Sequence, residues 1–255
     1  MKALKRYGQN FLVDRNILGV MIAQAGLTEN DCVLEIGPGH GVLTRAILAE
    51  KVKCLHCVEL DERLRPELEE IHDGRLSLHW GDAVKYDYSS LAPFPGKVIA
   101  NIPYKITTPV IWELIKFADK GLRYMLLMLQ KEAAERITAP ADTRARYPLG
   151  VCIEAVGKAK AVRSVPPQCF RPAPKVYSAI VEIEISRNFE LAGSALWSRM
   201  LHLGFAHRRK TLANNLKGWA LPEGIGEKRA EDLSADEWIK IYSSAQASHT
   251  EESVF

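Results

Sequence analysis

Residues Leu122–Leu129 read Leu-Arg-Tyr-Met-Leu-Leu-Met-Leu, with no polar alternation once Tyr124 is passed. A run this short and this apolar cannot keep one face in water. It therefore predicts a strand buried on both faces, the place of an inner strand in a parallel sheet clothed by helices. The chain from Asp31 onward supplies the partners. Short apolar runs at Cys32–Ile36, Val52–Glu59, Leu76–Trp80 and Val98–Ala100 alternate with helical patterns at Val42–Glu50, Asp61–Ile71 and Thr108–Phe117. This is the βαβ signature of an α/β fold. Asp61 is expected to cap the second helix and Thr107 or Thr108 the third, where Pro109 suits the first turn. The run Ser178–Ile185 alternates with period two and is expected to close a mostly parallel sheet as an antiparallel edge strand. From Leu191 on, only helical patterns remain: Ala195–Ala206, Arg209–Leu216 and Ala235–Ser243, the last opened by Ser234 with Glu237 three residues later. Two domains are expected, 1–187 and 188–255, with a frayed tail at 245–255.

The chain has 255 residues, 47% hydrophobic and 25% charged. That is room for one domain of ordinary size and a smaller one. The five cysteines are an odd, sparse set and imply no disulfide framework. Cys54 and Cys57 form a lone CxxC within a strand pattern, where odd spacing points them to opposite faces, so buried thiols are expected. The seven histidines include no HExxH, and no structural metal is expected. No apolar run approaches about 18 residues, and the basic start has no signal-like core. A cytosolic protein is expected, and a monomer for want of an apolar heptad. The net charge of +3 is modest. Its excess gathers at Arg144, Arg146, Lys158, Lys160, Arg163, Arg171 and Lys175, a pattern suited to a phosphate backbone.

Polar residues and glycines recur at the ends of the strands. Glu35-Ile-Gly-Pro-Gly-His-Gly41 follows the first strand and opens a helix, so backbone can approach a ligand closely. Glu59 ends the second, where a carboxylate can accept from two ribose hydroxyls. Pro38 removes an amide donor and Glu35 adds negative charge, which disfavours a pyrophosphate and favours S-adenosylmethionine over NAD. Asp82 follows the third strand and can accept from an adenine amine. Asn101-Ile102-Pro103-Tyr104 ends the fourth with an amide, a rigid bend and an aromatic face, a set suited to a planar amine. Ligands of open α/β sheets bind outside these strand ends.

Five segments together carry a resemblance: Tyr7-Gly-Gln-Asn-Phe-Leu12, Glu35-Ile-Gly-Pro-Gly39, Asn101-Ile-Pro-Tyr104, Val165-Pro-Pro-Gln-Cys-Phe-Arg-Pro-Ala-Pro-Lys-Val176 and Phe205-Ala-His-Arg-Arg-Lys-Thr211. In this order the chain, up to about residue 243, resembles the ribosomal RNA adenine N6-dimethyltransferases of the KsgA type. The resemblance implies a Rossmann-like class I methyltransferase sheet with a small all-α C-terminal domain facing RNA. It also implies S-adenosylmethionine-dependent dimethylation of two adjacent adenosines near the 3′ end of small-subunit (16S) rRNA during ribosome assembly. By the same resemblance, Asn10, Leu12, Gly37, Glu59, Asp82 and Asn101 hold the cofactor. Asn101 and the Ile102 carbonyl accept the N6 hydrogens, Tyr104 stacks on the flipped base, and Phe170 closes its other face. Lys5, Arg6, Arg144, Arg146, Arg208, Arg209 and Lys210 are the expected RNA contacts.

The chain departs from that pattern at Pro148-Leu149-Gly150-Val151, where family members carry a Gly-Arg-Leu-Ser-type stretch, so a local basic contact is expected to be missing. The rival readings are an erythromycin-resistance-type methyltransferase of large-subunit rRNA and a non-catalytic RNA-binding assembly factor. Leu129-Gln-Lys-Glu132, Pro166-Pro167 and Arg208-Arg-Lys-Thr211 argue against the first, and the intact Glu59, Asp82, Asn101 and Tyr104 against the second.

Overall fold

The structure is a computed structural model and describes residues 9–252. Nine strands occur among these residues: β1 (Phe11–Leu12), β2 (Cys32–Ile36), β3 (Cys54–Glu59), β4 (Leu76–Trp80), β5 (Lys97–Asn101), β6 (Tyr124–Gln130), β7 (Gly157–Val165), β8 (Phe170–Arg171) and β9 (Ser178–Ile185). The ten α-helices are α1 (Arg15–Ala25), α2 (Val42–Ala49), α3 (Arg65–Glu69), α4 (Thr107–Ile115), α5 (Lys131–Thr138), α6 (Pro148–Val156), α7 (Phe189–Gly193), α8 (Ala195–Gly204), α9 (Leu212–Asn215) and α10 (Ala235–Glu252).

Seven strands form one sheet in the order β4-β3-β2-β5-β6-β9-β7. Strands β4, β3, β2, β5 and β6 pair in parallel, and β9 runs antiparallel to β6. The α/β, mostly parallel expectation is met. As the apolar run demanded, Met125 to Leu129 of β6 are all fully buried. Burying each such side chain stabilises by roughly 1.5–3 kcal/mol over exposure.

One detail differs from the sequence reading. The antiparallel strand β9 lies one place in from the edge, and the edge itself is β7, which was read only as a basic stretch. The two readings share a cause. Lysines on an edge strand keep its unpaired backbone from templating aggregation, so an edge strand carries the composition of a solvated charged segment. Lys158, Lys160 and Arg163 of β7 are exposed, and Lys160 pairs with Glu182 of β9 at 2.5 Å.

Helix α1 precedes the part of the chain that the periodicity covered. Its signals are local: the Asp14 carboxylate accepts from the Asn16 and Ile17 amides, and Gly26 at φ 51° ends it in the left-handed region. Asp61 does cap the turn after β3, accepting from Arg63 N–H, but that segment is a short 3-10 turn followed by α3 in place of one long helix. The Ser234–Glu237 capping box is present, with reciprocal bonds of 3.0 and 3.3 Å.

Contacts divide the chain into two compact units. The first runs to Ala134 and resumes at Lys160–Glu184; it holds β1 to β6, β8 and α1 to α4. The second comprises Glu135–Ala159 and the chain from Ile185. Its centre is α6, opened by Pro148 at the first turn and packed by α7, α8 and α10. Trp197 and Trp238 are fully buried there, and the Trp238 ring stacks on Phe205 at 5.7 Å. The division read from the sequence, with 1–187 as one domain, left Glu135–Ala159 with the sheet. Helix α10 continues to Glu252, and Ala245 is buried, whereas the sequence reading placed a frayed tail from 245.

The cysteines also need a correction. Cys32 and Cys54 face each other in the β2–β3 register and form a disulfide, so Cys54 is not a lone buried thiol. Cys57 is a buried thiol, as expected, and Cys152 and Cys169 are buried thiols too. Spacing along one strand shows which face a cysteine takes, but its partner across the ladder depends on strand order. No helix among the described residues is long and apolar enough to cross a membrane.

Candidate active site

A cavity of about 190 Å³ opens at the carboxyl ends of β2 to β5. Its walls include Asn10, Gly37, Glu59, Asp82, Asn101, Ile102 and Tyr104, so seven of the residues singled out from the sequence meet in one place. The parallel order explains this. Four adjacent strands pointing the same way bring their C-terminal loops to one rim.

The loop after β2 turns through Gly37 at φ 67°, Gly39 at φ 59° and Gly41 at φ 72°. At Gly39 a Cβ would stand 2.8 Å from the Phe11 ring, so both the left-handed backbone and the close approach require glycine. Glu59 is buried. Its Oε2 accepts from Gly39 N–H at 3.1 Å, and Oε1 accepts from Leu60 and Asp61 N–H at 2.9 and 2.8 Å. Burial raises its pKa, while those amide bonds oppose the rise. The carboxylate is thus held rigidly at the rim. Asp61 is fixed in turn by Arg63 and by Gln9 Nε2 at 2.8 Å, and the Arg63 guanidinium holds its carboxyl down at about 2.

Asp82 accepts from Val84 N–H at 2.9 Å, which sets its turn. Asn101 ends β5, and its Nδ2 donates to the Asn10 carbonyl at 3.0 Å. With the NH2 group committed, Oδ1 is the acceptor that the side chain can turn to a ligand. Ile102 is buried, and its N–H donates to Met128 O at 3.2 Å, so the backbone there is pinned to β6. Tyr104 opens a 3-10 turn after Pro103, and its hydroxyl shares a 2.6 Å hydrogen bond with Ser178 Oγ. Burial pushes the phenol pKa up, so the ring is a neutral aromatic wall. The arrangement can hold a ribose-bearing adenine ligand and present two acceptors and a ring to a planar amine.

Two of the expected site residues lie elsewhere. Leu12 and Phe170 are opposite each other in the β1–β8 pair, and both belong to the hydrophobic core. Leu12 is 5% exposed and Phe170 0%, and neither lines the cavity. Their pairing fixes β1, which carries Phe11 and directly follows Asn10. The alternation of faces along an extended chain assigns Phe11 to the cavity and Leu12 to the core. Gln9, Phe11, Gly39 and Lys105 line the cavity without having been singled out. Gln9 and Phe11 could have been found, because they sit in the same Gly-Gln-Asn-Phe stretch.

Among the expected RNA contacts, Lys5 and Arg6 fall outside the described residues. Arg144, Arg209 and Lys210 are exposed, and Arg208 is half-buried. Arg208 donates to the Arg144 carbonyl and lies 5.1 Å over the Tyr147 ring, whose other cationic neighbour is Arg136 at 4.4 Å. Arg208, Arg209 and Lys210 form a turn before α9 and not its first residues. Arg146 is a correction. It is fully buried, donating to Leu233 O at 3.1 Å, to Ala139 O at 3.0 Å and to Glu154 at 2.7 Å, so it cannot meet a phosphate.

Glu35, noted in the sequence only for its charge, is 1% exposed and accepts from Thr44 Oγ1 at 2.7 Å. Burial raises its pKa to about 7. The folded chain therefore holds this proton where the unfolded chain, at about 4.5, has released it. Stability from this group is complete below pH 4.5 and is lost as pH rises to 7 and beyond, on the order of 3 kcal/mol. The Glu35→Gln chain should lack that component. Denaturation at several pH values checks it, and parallel curves for the two chains between pH 4.5 and 8 would refute it.

The comparisons with known proteins agree with this geometry. A small-subunit rRNA methyltransferase A of Rubrobacter xylanophilus is 38% identical, over 93% of each chain. Its namesake from Chromobacterium violaceum is 35% identical, again over 93% of each. A dimethyladenosine transferase from Plasmodium falciparum superposes with a TM-score of 0.76 at 28% identity, over 91% of this chain and 95% of that one. The 23S rRNA methyltransferase ErmE, at 23% identity and a TM-score of 0.68, shares the fold. The family profile described as ribosomal RNA adenine dimethylase matches residues 1–247. With that match across nearly its whole length, and with its strand-end residues gathered in one cavity, the chain belongs to the ribosomal RNA adenine dimethylase family.

Proposed function

We propose that this methyltransferase transfers methyl groups from S-adenosylmethionine to N6 of two adjacent adenosines near the 3′ end of small-subunit rRNA during ribosome assembly. The observation that carries the reading is the convergence of Gly37, Glu59, Asp82, Asn101 and Tyr104 on one cavity. The residues present fit that cofactor better than a dinucleotide. Pro38 offers no amide to a pyrophosphate, while the buried Glu59 carboxylate suits ribose hydroxyls. Glu59 would hold the ribose, Asp82 the adenine amine, and Asn10 and Gly37 the amino-acid end. The bound cofactor supplies an electrophilic methyl group.

The chain's own part is orientation. An adenine amine is a poor nucleophile while its lone pair is delocalised into the ring. Acceptance of its two hydrogens by Asn101 Oδ1 and the Ile102 carbonyl favours a tetrahedral nitrogen whose lone pair points out of the ring plane. Tyr104 holds the heterocycle flat by stacking. Catalysis then comes from positioning and from complementarity to the developing charge, with no general base assigned. The sheet unit is the proposed catalytic part. The helical unit is the proposed RNA-facing part, through Arg144, Arg208, Arg209 and Lys210.

The test is methyl transfer from labelled cofactor to immature small and large subunits, with the modified nucleosides resolved by mass spectrometry. Dimethyladenosine in the small subunit is expected. Modification of the large subunit alone would overturn the reading in favour of the erythromycin-resistance type. RNA binding without transfer would favour an assembly factor.

A further inference from the structure

At the amino ends of β2 and β3, opposite the carboxyl ends that form the cavity, lies a second chemical cluster that the methyl-transfer reading does not use. Cys32 and Cys54 are cross-strand neighbours with Cα atoms 4.7 Å apart. His56, two residues on from Cys54, shares its sheet face. The donor atoms of Cys32, Cys54 and His56 all lie within 4.8 Å of one another, the one such group of three among the described residues. Cys54 Sγ stands 3.9 Å from His56 Nε2. The Pro93 carbonyl closes the group, 3.1 Å from His56 Nε2 and 3.3 Å from Cys32 Sγ. Behind His56, its Nδ1 lies 3.1 Å from His79 Nε2. His56 is 3% exposed and Cys32 6%.

We propose that, once the disulfide is reduced, Cys32, Cys54 and His56 form a Zn2+ site that alternates with the disulfide. Two thiolates and an imidazole are a borderline-soft donor set of the kind zinc takes, with bonds of about 2.3 Å to sulfur and about 2.0 Å to nitrogen. Tetrahedral bonds of those lengths separate sulfur and nitrogen donors by roughly 3.5 Å, close to the Cys54–His56 distance already present. The fourth position falls to the Pro93 carbonyl or a water. His79 supplies the outer partner that a metal-bound histidine needs. With Nδ1–H donated to His79 Nε2, Nε2 of His56 is left as the ligand atom.

The exchange balances. A dithiol reductant delivers two electrons and two protons to the Cys32–Cys54 bond, becoming a disulfide itself. Zn2+ then displaces the two thiol protons. In the reverse direction a disulfide oxidant accepts the two electrons from the thiolates and is itself reduced to a dithiol, the Cys32–Cys54 bond re-forms and the ion is released. In either state β2 is tied to β3, and in a reducing environment the metal form would prevail. The proposal departs from the sequence expectation of no metal. That expectation rested on spacing along one segment, whereas the ligands here come from two paired strands, with Cys32 and Cys54 22 residues apart.

The test uses the full chain, reduced anaerobically, stripped with a chelator and titrated with Zn2+ alone. One ion per chain is expected, with a dissociation constant below about 1 µM, and no stoichiometric binding after oxidation with diamide. Cys54→Ser should abolish binding, and His79→Ala should weaken it by about 10–100-fold. Native mass spectrometry of the wild-type chain, reduced against oxidised, gives a readout that needs no variant to fold. Zinc retained only by the reduced form supports the site. A reduced chain that binds no Zn2+, or a Cys54→Ser chain that binds it undiminished, would overturn the proposal.

Discussion

Replacing Asn101 by alanine is expected to lower kcat for methyl transfer by about 100- to 1,000-fold, the usual effect of removing one preorganised polar contact to developing charge. The side chain is already aimed, because its Nδ2 is committed to the Asn10 carbonyl at 3.0 Å. Alanine removes the acceptor and also frees the segment that carries Asn10 and Phe11. Cofactor affinity should fall as well, by less than about tenfold, since Glu59 and Asp82 stay in place and lost transition-state contacts show mainly in kcat. Single-turnover transfer to immature small subunits, with cofactor binding measured separately, distinguishes the two effects. Transfer undiminished in the variant would remove Asn101 from the reaction. A loss confined to cofactor affinity would make it a cofactor ligand alone.

The second large effect is expected at Arg146, whose position in a basic stretch suggested RNA. Arg146→Ala should destabilise the chain by about 3 kcal/mol, the lower end of what breaking a buried ion pair costs. The lower end applies because the Glu154 side chain is 41% exposed and keeps water when its partner leaves. The Ala139 and Leu233 carbonyls lose their guanidinium donors at the same time. Urea denaturation measures the change. RNA affinity of the folded variant, and its salt dependence, should stay near those of the parent. The opposite pattern, unchanged stability with a salt slope reduced by about one, would mark a phosphate contact. For Arg144, Arg209 and Lys210, which are exposed, that opposite pattern is the expected one.

Arg146 and Phe170 show where sequence reasoning stops. Both stand in segments singled out from the sequence, and both residue types suit the roles expected of them. Yet Arg146 is turned inward by α6 and the chain near Leu233, and Phe170 faces the core from a two-residue strand. Residue type and neighbourhood leave the direction of a side chain open in a loop or in a strand too short to show an alternating pattern. Asn101, Glu59 and Asp82 were legible for the converse reason. Each ends a strand in a parallel sheet, and the carboxyl ends of such strands share one rim whatever their order.

The sequence by itself determined the alternating α/β plan, the doubly buried strand β6, the strand-end residues that line the cavity and the family to which the chain belongs. Hydrophobic periodicity and turn residues are local properties, and they survive without knowledge of what lies across the sheet. Only the tertiary structure decided that β7 is the edge, that Glu135–Ala159 joins the helical unit, and that Cys32 meets Cys54 beside His56. Each of these depends on how separate elements pack against one another. Such packing is settled across the whole core, for which no single window of sequence carries the signal.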